Sequence, residues 1–394
     1  MFETIQTAPP DSILGLSEAF QKDPNPAKIN LSVGVYKDTS GQTPVLRCVK
    51  QAEETLLKTE TTKGYLGIDG LPEYRQHVHG LVFGEQVPAS QVAVVQTPGG
   101  TGALRVAADF IATQLRPARV WLSNPTWANH NAIFAAAGVQ VETYSYLNAE
   151  KTGLDFDSML DDLKTKSHNG DVVLLHACCH NPTGVDPTAE QWAQIAEVVR
   201  ERGLLPLVDF AYQGFGQGIT EDAVGIRTLL ETCDEMLVAS SFSKNFGLYS
   251  ERVGGLSLVA KNPEEATAAM SQLKCIVRTN YSNPPRHGGA IVATVLGNPE
   301  LTATWHEEVA EMRDRIAAMR SQFVTQMHQR QSKRDFSFLL SQSGMFSFSG
   351  LNPMQVDQLR NEYAIYIVGS GRINVAGMTD ENLPRLCDAV AAVL

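Results

Sequence analysis

The chain has 394 residues, 32 of them basic and 43 acidic, and carries a formal net charge of −11. This acidic balance argues against a nucleic-acid-binding protein, which would carry a basic face, and no apolar stretch approaches the roughly 20 residues that span a bilayer. The six cysteines include no CxxC pair, which favours free thiols in a reducing compartment. We therefore expect a cytoplasmic enzyme of two or three domains, without a secretory signal.

The predicted elements begin with an irregular arm over residues 1–14, which contains Pro9 and Pro10. From residue 90, short apolar runs rich in β-branched residues alternate with helix-like stretches at 103–115 and 189–202. Apolar runs without alternation predict strands buried on both faces, and their alternation with helices predicts a mainly parallel sheet covered by helices. The runs lie at 91–96, 119–123, 171–177, 204–210, 236–241 and 254–260.

The pattern changes after residue 299, where apolar side chains recur at helical spacing over residues 299–330. This spacing predicts one long helix that connects two lobes. The segments 345–350 and 365–377, with a helix near 353–362, then suggest a smaller α+β lobe. We predict a large domain over residues 35–310 and a small domain formed by residues 15–34 and 311–394.

Several common catalytic motifs are absent from the sequence: GxGxxG, GxxxxGK[ST], HExxH and GxSxG. Dinucleotide oxidoreductases, P-loop NTPases, zincins and α/β-hydrolases are therefore disfavoured. His176 and His180 would share one face of a strand. No further ligand is spaced to complete a metal site with them, so we predict no metal.

Five polar clusters follow the predicted strands, at 97–104, 123–130, 176–184, 208–214 and 240–255. Ligands bind at this edge of open α/β sheets. Each cluster alone has an ordinary explanation, since Asp209 could cap a helix, Trp127 could belong to the core and Lys244 could be a solvated charge. The clusters together indicate more than any one of them does.

The combined pattern indicates pyridoxal 5′-phosphate. Residues 99–101 open a helix, whose N-terminal N–H groups suit a phosphate, and Ser241 and Arg252 suit the same anion. Asp209 could hold a protonated ring nitrogen, and Lys244 could form a Schiff base. A phosphate, a ring nitrogen and an aldehyde are the groups of this cofactor.

Seven segments also resemble those of the pyridoxal-phosphate aminotransferases of fold type I, and in particular the subgroup of bacterial aspartate and aromatic amino acid aminotransferases. The resemblance covers essentially the whole chain. It implies an α/β fold in which a large domain holds a mainly parallel seven-stranded sheet between helices, beside a smaller α+β domain. It also implies a homodimer with shared active sites. The segments are SFSKNFGLYSERVG, HNPTG, DFAYQGF, YLGIDG, SNPTWANH, YSNPP and GRINVAGM.

The resemblance assigns roles around the cofactor ring. Lys244 matches the lysine that forms the Schiff base and then moves the proton at Cα, which requires a neutral amine. Asp209 matches the partner of the pyridine nitrogen, and a carboxylate there favours the protonated ring. Trp127 matches the aromatic residue stacked on the ring, and His130 the residue that orients the aspartate. Tyr212 and Asn181 match the pair that hydrogen-bonds the ring hydroxyl.

The resemblance also implies residues for the phosphate and the substrate. Arg372 matches the arginine that binds the substrate α-carboxylate, near the backbone of Gly34. Arg278 resembles the arginine that reaches across the dimer to a side-chain carboxylate. The phosphate ligands would be Gly100, Thr101, Ser241, Arg252 and, from the neighbouring subunit, Tyr65.

The implied reaction is ping-pong transamination between L-aspartate and 2-oxoglutarate, through aldimine, quinonoid and ketimine, giving oxaloacetate and L-glutamate. The segments 34–38 and 281–285, with Lys37, Thr43, Thr101 and Asn283, look aspartate-type. Gly64 departs from the asparagine that is frequent there and leaves room for a larger substrate. An aromatic aminotransferase with overlapping aspartate activity is therefore the alternative. A lyase or decarboxylase on the same fold and an inactive binding protein are weaker alternatives.

Overall fold

The computed structural model describes residues 1–7, 14–115 and 119–394. Pro9 and Pro10, on which the irregular arm was predicted, lie outside the described residues. Within these ranges the helices are α1 (Leu14–Lys22), α2 (Arg47–Thr59), α3 (Pro72–Phe83), α4 (Gly99–Gln114), α5 (Ala128–Ala136), α6 (Phe156–Lys166), α7 (Ala189–Arg202), α8 (Val224–Leu230), α9 (Pro263–Asn280), α10 (Arg286–Leu296), α11 (Pro299–Gln329), α12 (Pro353–Tyr363) and α13 (Leu383–Val393).

The strands of the same ranges form one large sheet and two small ones. They are β1 (Ile29–Asn30), β2 (Val92–Pro98), β3 (Arg119–Asn124), β4 (Gln140–Ser145), β5 (Val172–His176), β6 (Leu205–Phe210), β7 (Met236–Ser241), β8 (Val253–Val259), β9 (Phe346–Phe348), β10 (Ile365–Tyr366) and β11 (Arg372–Asn374).

The large sheet has seven strands in the order β2-β8-β7-β6-β5-β3-β4. Only β8 runs antiparallel to its neighbours β2 and β7, so the carboxyl ends of the other six strands meet at one edge, beside the amino end of β8. This confirms the predicted fold class. The direction of β8 matters for function, because it brings the residues that precede β8 to the same edge as the ends of the parallel strands.

Burial on both faces explains why the strand sequences are apolar without alternation. In β5, Val172 and Leu174 belong to one apolar core, while Val173 and Leu175 belong to the core on the other side of the sheet. Because successive side chains of a strand point to opposite faces, every position of such a strand is buried. All six predicted runs are strands of this sheet.

The edge strand β4 was missed by the search for apolar runs. Among the described residues it pairs only with β3, and Tyr144 is its one buried side chain. An edge strand with one solvated face does not need an apolar run.

The predicted helices are present with small shifts in their bounds. Helix α4 begins at Gly99, four residues before the predicted stretch, because the glycine-rich turn forms its first turn. Helix α7 has a capping box at Thr188 and a left-handed Gly203 at its end. The long predicted helix is α11, which Asn298 caps.

The small sheets join the two ends of the chain. Strand β1 pairs in parallel with β10, and β9 pairs antiparallel with β11, with Phe348 opposite Arg372. Residues 29–30 therefore pack with the C-terminal part of the chain. No helix of the described residues is both long and apolar enough to cross a membrane.

Candidate active site

A cavity of about 540 Å³ opens at the edge of the sheet where the six parallel strands end. Most of the lining residues end or follow β2, β3, β5, β6 and β7 or precede β8, and the others follow β1 or lie in β9 and β11. Val33, Tyr249 and Phe346, which the sequence did not single out, also line it. The structure thus brings together most of the predicted site residues: Gly34, Gly100, Thr101, Trp127, Asn181, Asp209, Tyr212, Ser241, Lys244, Arg252 and Arg372.

Lys244 is a half-buried amine in the turn that follows β7. Burial lowers the pKa of Lys244, the positive charge of Arg252 lowers it further, and the negative charge of Asp209 opposes both. Its Nζ lies 4.7 Å from the centroid of the Tyr212 ring. A lowered pKa increases the fraction of neutral amine, which is the form that acts as nucleophile and base.

Asp209 lies near the end of β6 and is 8% exposed. Burial alone would raise the pKa of this carboxyl group, but the hydrogen bond from His130 and the nearby charges lower it. His130 Nε2 donates to Asp209 Oδ2 over 3.0 Å. The site therefore keeps a negative charge at Asp209 despite its burial.

The hydrogen bond between His130 and Asp209 continues into a hydrogen-bonded chain of two further groups. Because His130 Nε2 donates to a carboxylate, a neutral His130 accepts at Nδ1, and Thr126 Oγ1 lies 2.8 Å from that atom. His176 Nε2 lies 3.3 Å from the same hydroxyl group and can donate to it. Burial lowers the pKa of His176 to about 3, so this ring is neutral. Sequence reasoning considered His176 as a metal ligand, which it did not favour, and did not consider Thr126.

Both ring nitrogens of His180, the second candidate metal ligand, lie within hydrogen-bond distance of hydroxyl groups. His180 Nε2 lies 2.9 Å from Ser123 Oγ, and its Nδ1 lies 2.8 Å from Thr183 Oγ1. The ring also stacks on Tyr146. Among the described residues, no group of three or more His, Cys, Asp or Glu side chains is arranged to hold a metal ion.

A cradle suited to an anion lies at the N-terminus of α4. Ser241 ends β7, and a Cβ added at Gly100 would lie 3.0 Å from Ser241 Cβ, so a side chain there would fill the cradle. The Arg252 guanidinium reaches the same helix end, since a Cβ added at Gly99 would lie 2.5 Å from Arg252 Nη2. Arg252 Nη1 also donates to Tyr249 O over 2.9 Å. Helix N–H groups, a hydroxyl group and a guanidinium group are suitable ligands for a phosphate.

Arg372, at the start of β11, is a buried cation without an anionic partner in the described residues. It is 5% exposed, and burial lowers its pKa to about 10. Nη2 donates to Ser32 O over 2.6 Å and Nη1 donates to Asn181 Oδ1 over 3.5 Å. Nε has no hydrogen-bond partner in the part of the chain that the structure describes. A buried charge is costly unless it is paired, so this guanidinium could accept a carboxylate as a partner.

Two of the predicted site residues lie outside the cavity of this chain. Tyr65 is 96% exposed, and Arg278, in the last turn of α9, is exposed and donates to Ser282 Oγ. His130 acts behind Asp209 and does not line the cavity. Of the residues discussed for substrate preference, Gly34 and Thr101 are in the lining, and Thr43 Oγ1 donates to Tyr36 O over 3.0 Å.

The family model for aminotransferase class I and II matches residues 26–390. The chain belongs to this family. It is 53% identical to the aspartate aminotransferase of Escherichia coli, with 100% of both sequences covered. It is 48% identical to an aromatic-amino-acid aminotransferase of Pseudomonas aeruginosa, covering 100% of this chain and 98% of the relative. The family predicted from the seven segments is thereby confirmed.

Solved structures of aminotransferases also superimpose on this chain. An aromatic-amino-acid aminotransferase from Burkholderia pseudomallei, covalently bound to pyridoxal phosphate, superimposes with a TM-score of 0.97 at 49% identity, covering 100% of this chain and 99% of that one. The aspartate aminotransferase from the cytoplasm of Saccharomyces cerevisiae superimposes with a TM-score of 0.95 at 36% identity, covering 100% and 98%.

Proposed function

We propose that this chain catalyses transamination between L-aspartate and 2-oxoglutarate, giving oxaloacetate and L-glutamate, with pyridoxal 5′-phosphate as cofactor. The observation that carries the proposal is the buried, unpaired guanidinium of Arg372 in the same cavity as Lys244 and Asp209. That combination suits a substrate with an α-carboxylate whose amino group must react. Its relationship to the aspartate aminotransferase of Escherichia coli supports the choice of aspartate.

The lining residues fit the cofactor group by group. Gly100, Thr101, Ser241 and Arg252 would hold the phosphate, and Asp209 would hold the ring nitrogen. Asn181 and Tyr212 would hold the ring hydroxyl, Trp127 would cover the ring face, and Lys244 would take the aldehyde. When bound, the cofactor supplies an electron-withdrawing ring that stabilises negative charge at the substrate Cα.

The residues of this chain then have distinct tasks. The neutral amine of Lys244 takes the proton from the substrate Cα and returns it. The negative charge of Asp209, oriented by His130 over 3.0 Å, favours the protonated ring. Arg372 orients the substrate through its α-carboxylate, which reduces the entropic cost of reaching the reactive geometry.

A homodimer with shared sites accounts for the two residues outside the cavity. Tyr65 and Arg278 are exposed in the single chain, which leaves them free to enter the cavity of a second copy. In a two-fold symmetric dimer both sites would be completed in the same way. Arg278 would there bind the side-chain carboxylate of aspartate.

A mixing experiment tests the shared site. A heterodimer of Lys244→Ala and Arg278→Ala chains has one site that lacks both residues and one that has both. Subunit exchange between the two poor homodimers should therefore restore aspartate kcat/KM toward one good site per heterodimer. If Arg278 served its own chain, every site would lack one residue, and confirmed heterodimer would show no gain.

Preference for aspartate over aromatic substrates is tested by steady-state kinetics with Asp, Glu, Phe and Tyr and 2-oxoglutarate as acceptor. We expect the highest kcat/KM for aspartate. We also expect a lower but measurable activity with Phe and Tyr, because Gly64 leaves room for a larger substrate. A preference for Tyr or Phe would favour the aromatic alternative, to which the relative from Pseudomonas aeruginosa also belongs.

Two further proposals concern the division into domains and the cellular location. The division into a large domain over 35–310 and a small domain formed by 15–34 and 311–394 is supported by the pairing of β1 with β10. A cytoplasmic location is supported by the six free thiols.

A further inference from the structure

Two segments far apart in sequence are joined beside the cavity. The loop 179–186 follows β5 and carries Asn181, and the segment 342–346 leads into β9 and ends at Phe346. Ser343 N donates to Gly184 O over 2.8 Å. The Ser343 hydroxyl group donates to Asp186 Oδ2 over 2.7 Å. The junction therefore has one backbone and one side-chain hydrogen bond.

Two glycines bring the backbones of this junction into direct contact. Gly184 has φ +72°, and a Cβ there would lie 2.4 Å from Phe346 O. Gly344 has φ +77°, and a Cβ there would lie 2.4 Å from Cys179 Cβ. Any larger residue would push the two segments apart. The contact therefore leaves little room for one segment to move relative to the other.

Asp186 connects the junction to the backbone of the loop. Its Oδ2 also accepts from Cys179 N over 2.7 Å, and its Oδ1 accepts from His180 N over 2.8 Å. One carboxylate thus holds the residues that immediately precede Asn181 and, through Ser343, the segment that ends at Phe346. Hydrogen bonds to a charged group are stronger than those between neutral groups.

Both segments contact Arg372. Asn181 Oδ1 accepts from Arg372 Nη1 over 3.5 Å, and Asn181 Nδ2 donates to Tyr212 OH over 3.3 Å. On the other side, the Phe346 ring centroid lies 4.2 Å from the Arg372 guanidinium carbon. Ser32 O fixes Nη2 over 2.6 Å, and the contacts with the two segments position the rest of the guanidinium.

We propose that Asp186 and Ser343 are positioning residues of the transamination site, which fix Asn181 and Phe346 relative to each other and so set the position of Arg372. The inference rests on the proposed function, because it takes Arg372 as the ligand of the substrate carboxylate. Neither residue is expected to touch the reacting atoms. Their effect should therefore appear in the binding of carboxylates more than in turnover.

The chain offers a matched control elsewhere. Ser145 Oγ donates to Asp162 Oδ2 over 2.8 Å, and neither residue lines the cavity. Ser145→Ala thus removes the same kind of hydrogen bond as Ser343→Ala, without the connection to Arg372. Ser343→Thr retains the hydroxyl group and provides the conservative variant.

The experiment measures KM and kcat for aspartate, the Kd of succinate for the holoenzyme by calorimetry, and Tm. For Ser343→Ala we expect KM and the succinate Kd to rise about tenfold, because a tenfold change corresponds to the loss of one hydrogen bond to a charged group. We expect kcat to change less than about threefold. Ser343→Thr should restore the binding. Asp186→Asn should weaken binding at least as much as Ser343→Ala, because its amide group would face N–H donors.

Two outcomes would overturn the proposal. One is a KM and a succinate Kd for Ser343→Ala within twofold of wild type. The other is an equal rise of KM and of the succinate Kd in Ser145→Ala, which would indicate a general loss of stability. If wild type prefers phenylalanine, the proposed substrate is wrong, but Ser343→Ala must still raise KM for phenylalanine and the Kd of 3-phenylpropionate, since Arg372 would bind the carboxylate of either substrate.

Discussion

Replacing Asp209 by asparagine isolates the contribution of one buried negative charge. The two side chains have nearly the same shape, and an asparagine Oδ1 can still accept from His130 Nε2 at the present 3.0 Å. The hydrogen bonds that continue from His130 through Thr126 to His176 are therefore retained. What is lost is the charge that would hold the proton on the ring nitrogen of the cofactor.

The expected size of the effect follows from electrostatics. Two unit charges 4 Å apart interact by about 4 kcal/mol at an effective dielectric constant of about 20. Removal of one major preorganised group raises a barrier by about 2–4 kcal/mol. At about 1.4 kcal/mol for each factor of ten, kcat should fall by about 30- to 1000-fold. The pKa of Lys244 should also fall further, since Asp209 raises it.

The assay compares kcat for aspartate with cofactor content after dialysis, measured by absorbance. Asp209→Asn should retain most of its cofactor, because the cradle of Gly100, Ser241 and Arg252 is unchanged. Asp162→Asn is the control, since Asp162 is a buried carboxylate outside the cavity and its loss should leave kcat unaltered. A kcat for Asp209→Asn within threefold of wild type would refute the assigned role.

Three further changes have defined outcomes. Lys244→Ala should lower kcat by about 100- to 10,000-fold as the base is lost, and a kcat within tenfold of wild type would contradict its role. Arg278→Asp should lower kcat/KM for aspartate on the order of 100-fold through charge repulsion but affect phenylalanine much less, and equal losses would indicate a structural role. Burial lowers the pKa of His176 from 6.5 to about 3. Between pH 6.5 and about 3 the unfolded chain therefore binds a proton at His176 that the native chain does not, and the free energy of unfolding of wild type falls as the pH falls. In His176→Gln this free energy should fall less, by up to about 1.4 kcal/mol per pH unit. Urea unfolding at pH 7, 5.5 and 4.5 measures both proteins, and an identical pH dependence would contradict the prediction.

The fold could be predicted where burial determines sequence. The central strands are apolar because both of their faces are covered, and each was found from its apolar run. Strand β4 could not be found in this way, since one neighbour and one buried side chain impose no such run. The direction of β8 is also not encoded in its composition, because an apolar strand reads the same in a parallel or an antiparallel pair.

The lining of the cavity could be predicted residue by residue but not contact by contact. Segments such as HNPTG and SNPTWANH predict Asn181 and Trp127 as site residues, and both line the cavity. The hydrogen-bonded chain from Asp209 to His176 depends on side chains that meet only in the folded protein, since Thr126 and His176 are 50 residues apart. The contact of Phe346 with Arg372 likewise depends on the register of β9 and β11.

The most direct test of transamination in this cavity is the half-reaction. Holoenzyme is mixed with aspartate in the absence of 2-oxoglutarate, and the products are measured per chain. We expect one oxaloacetate per chain, with the amino group retained by the enzyme, and one glutamate per chain when 2-oxoglutarate is then added. Lys244→Ala should release neither product on this time scale. Release of pyruvate or CO₂, or oxaloacetate in continuous excess over the number of chains, would contradict the proposed function.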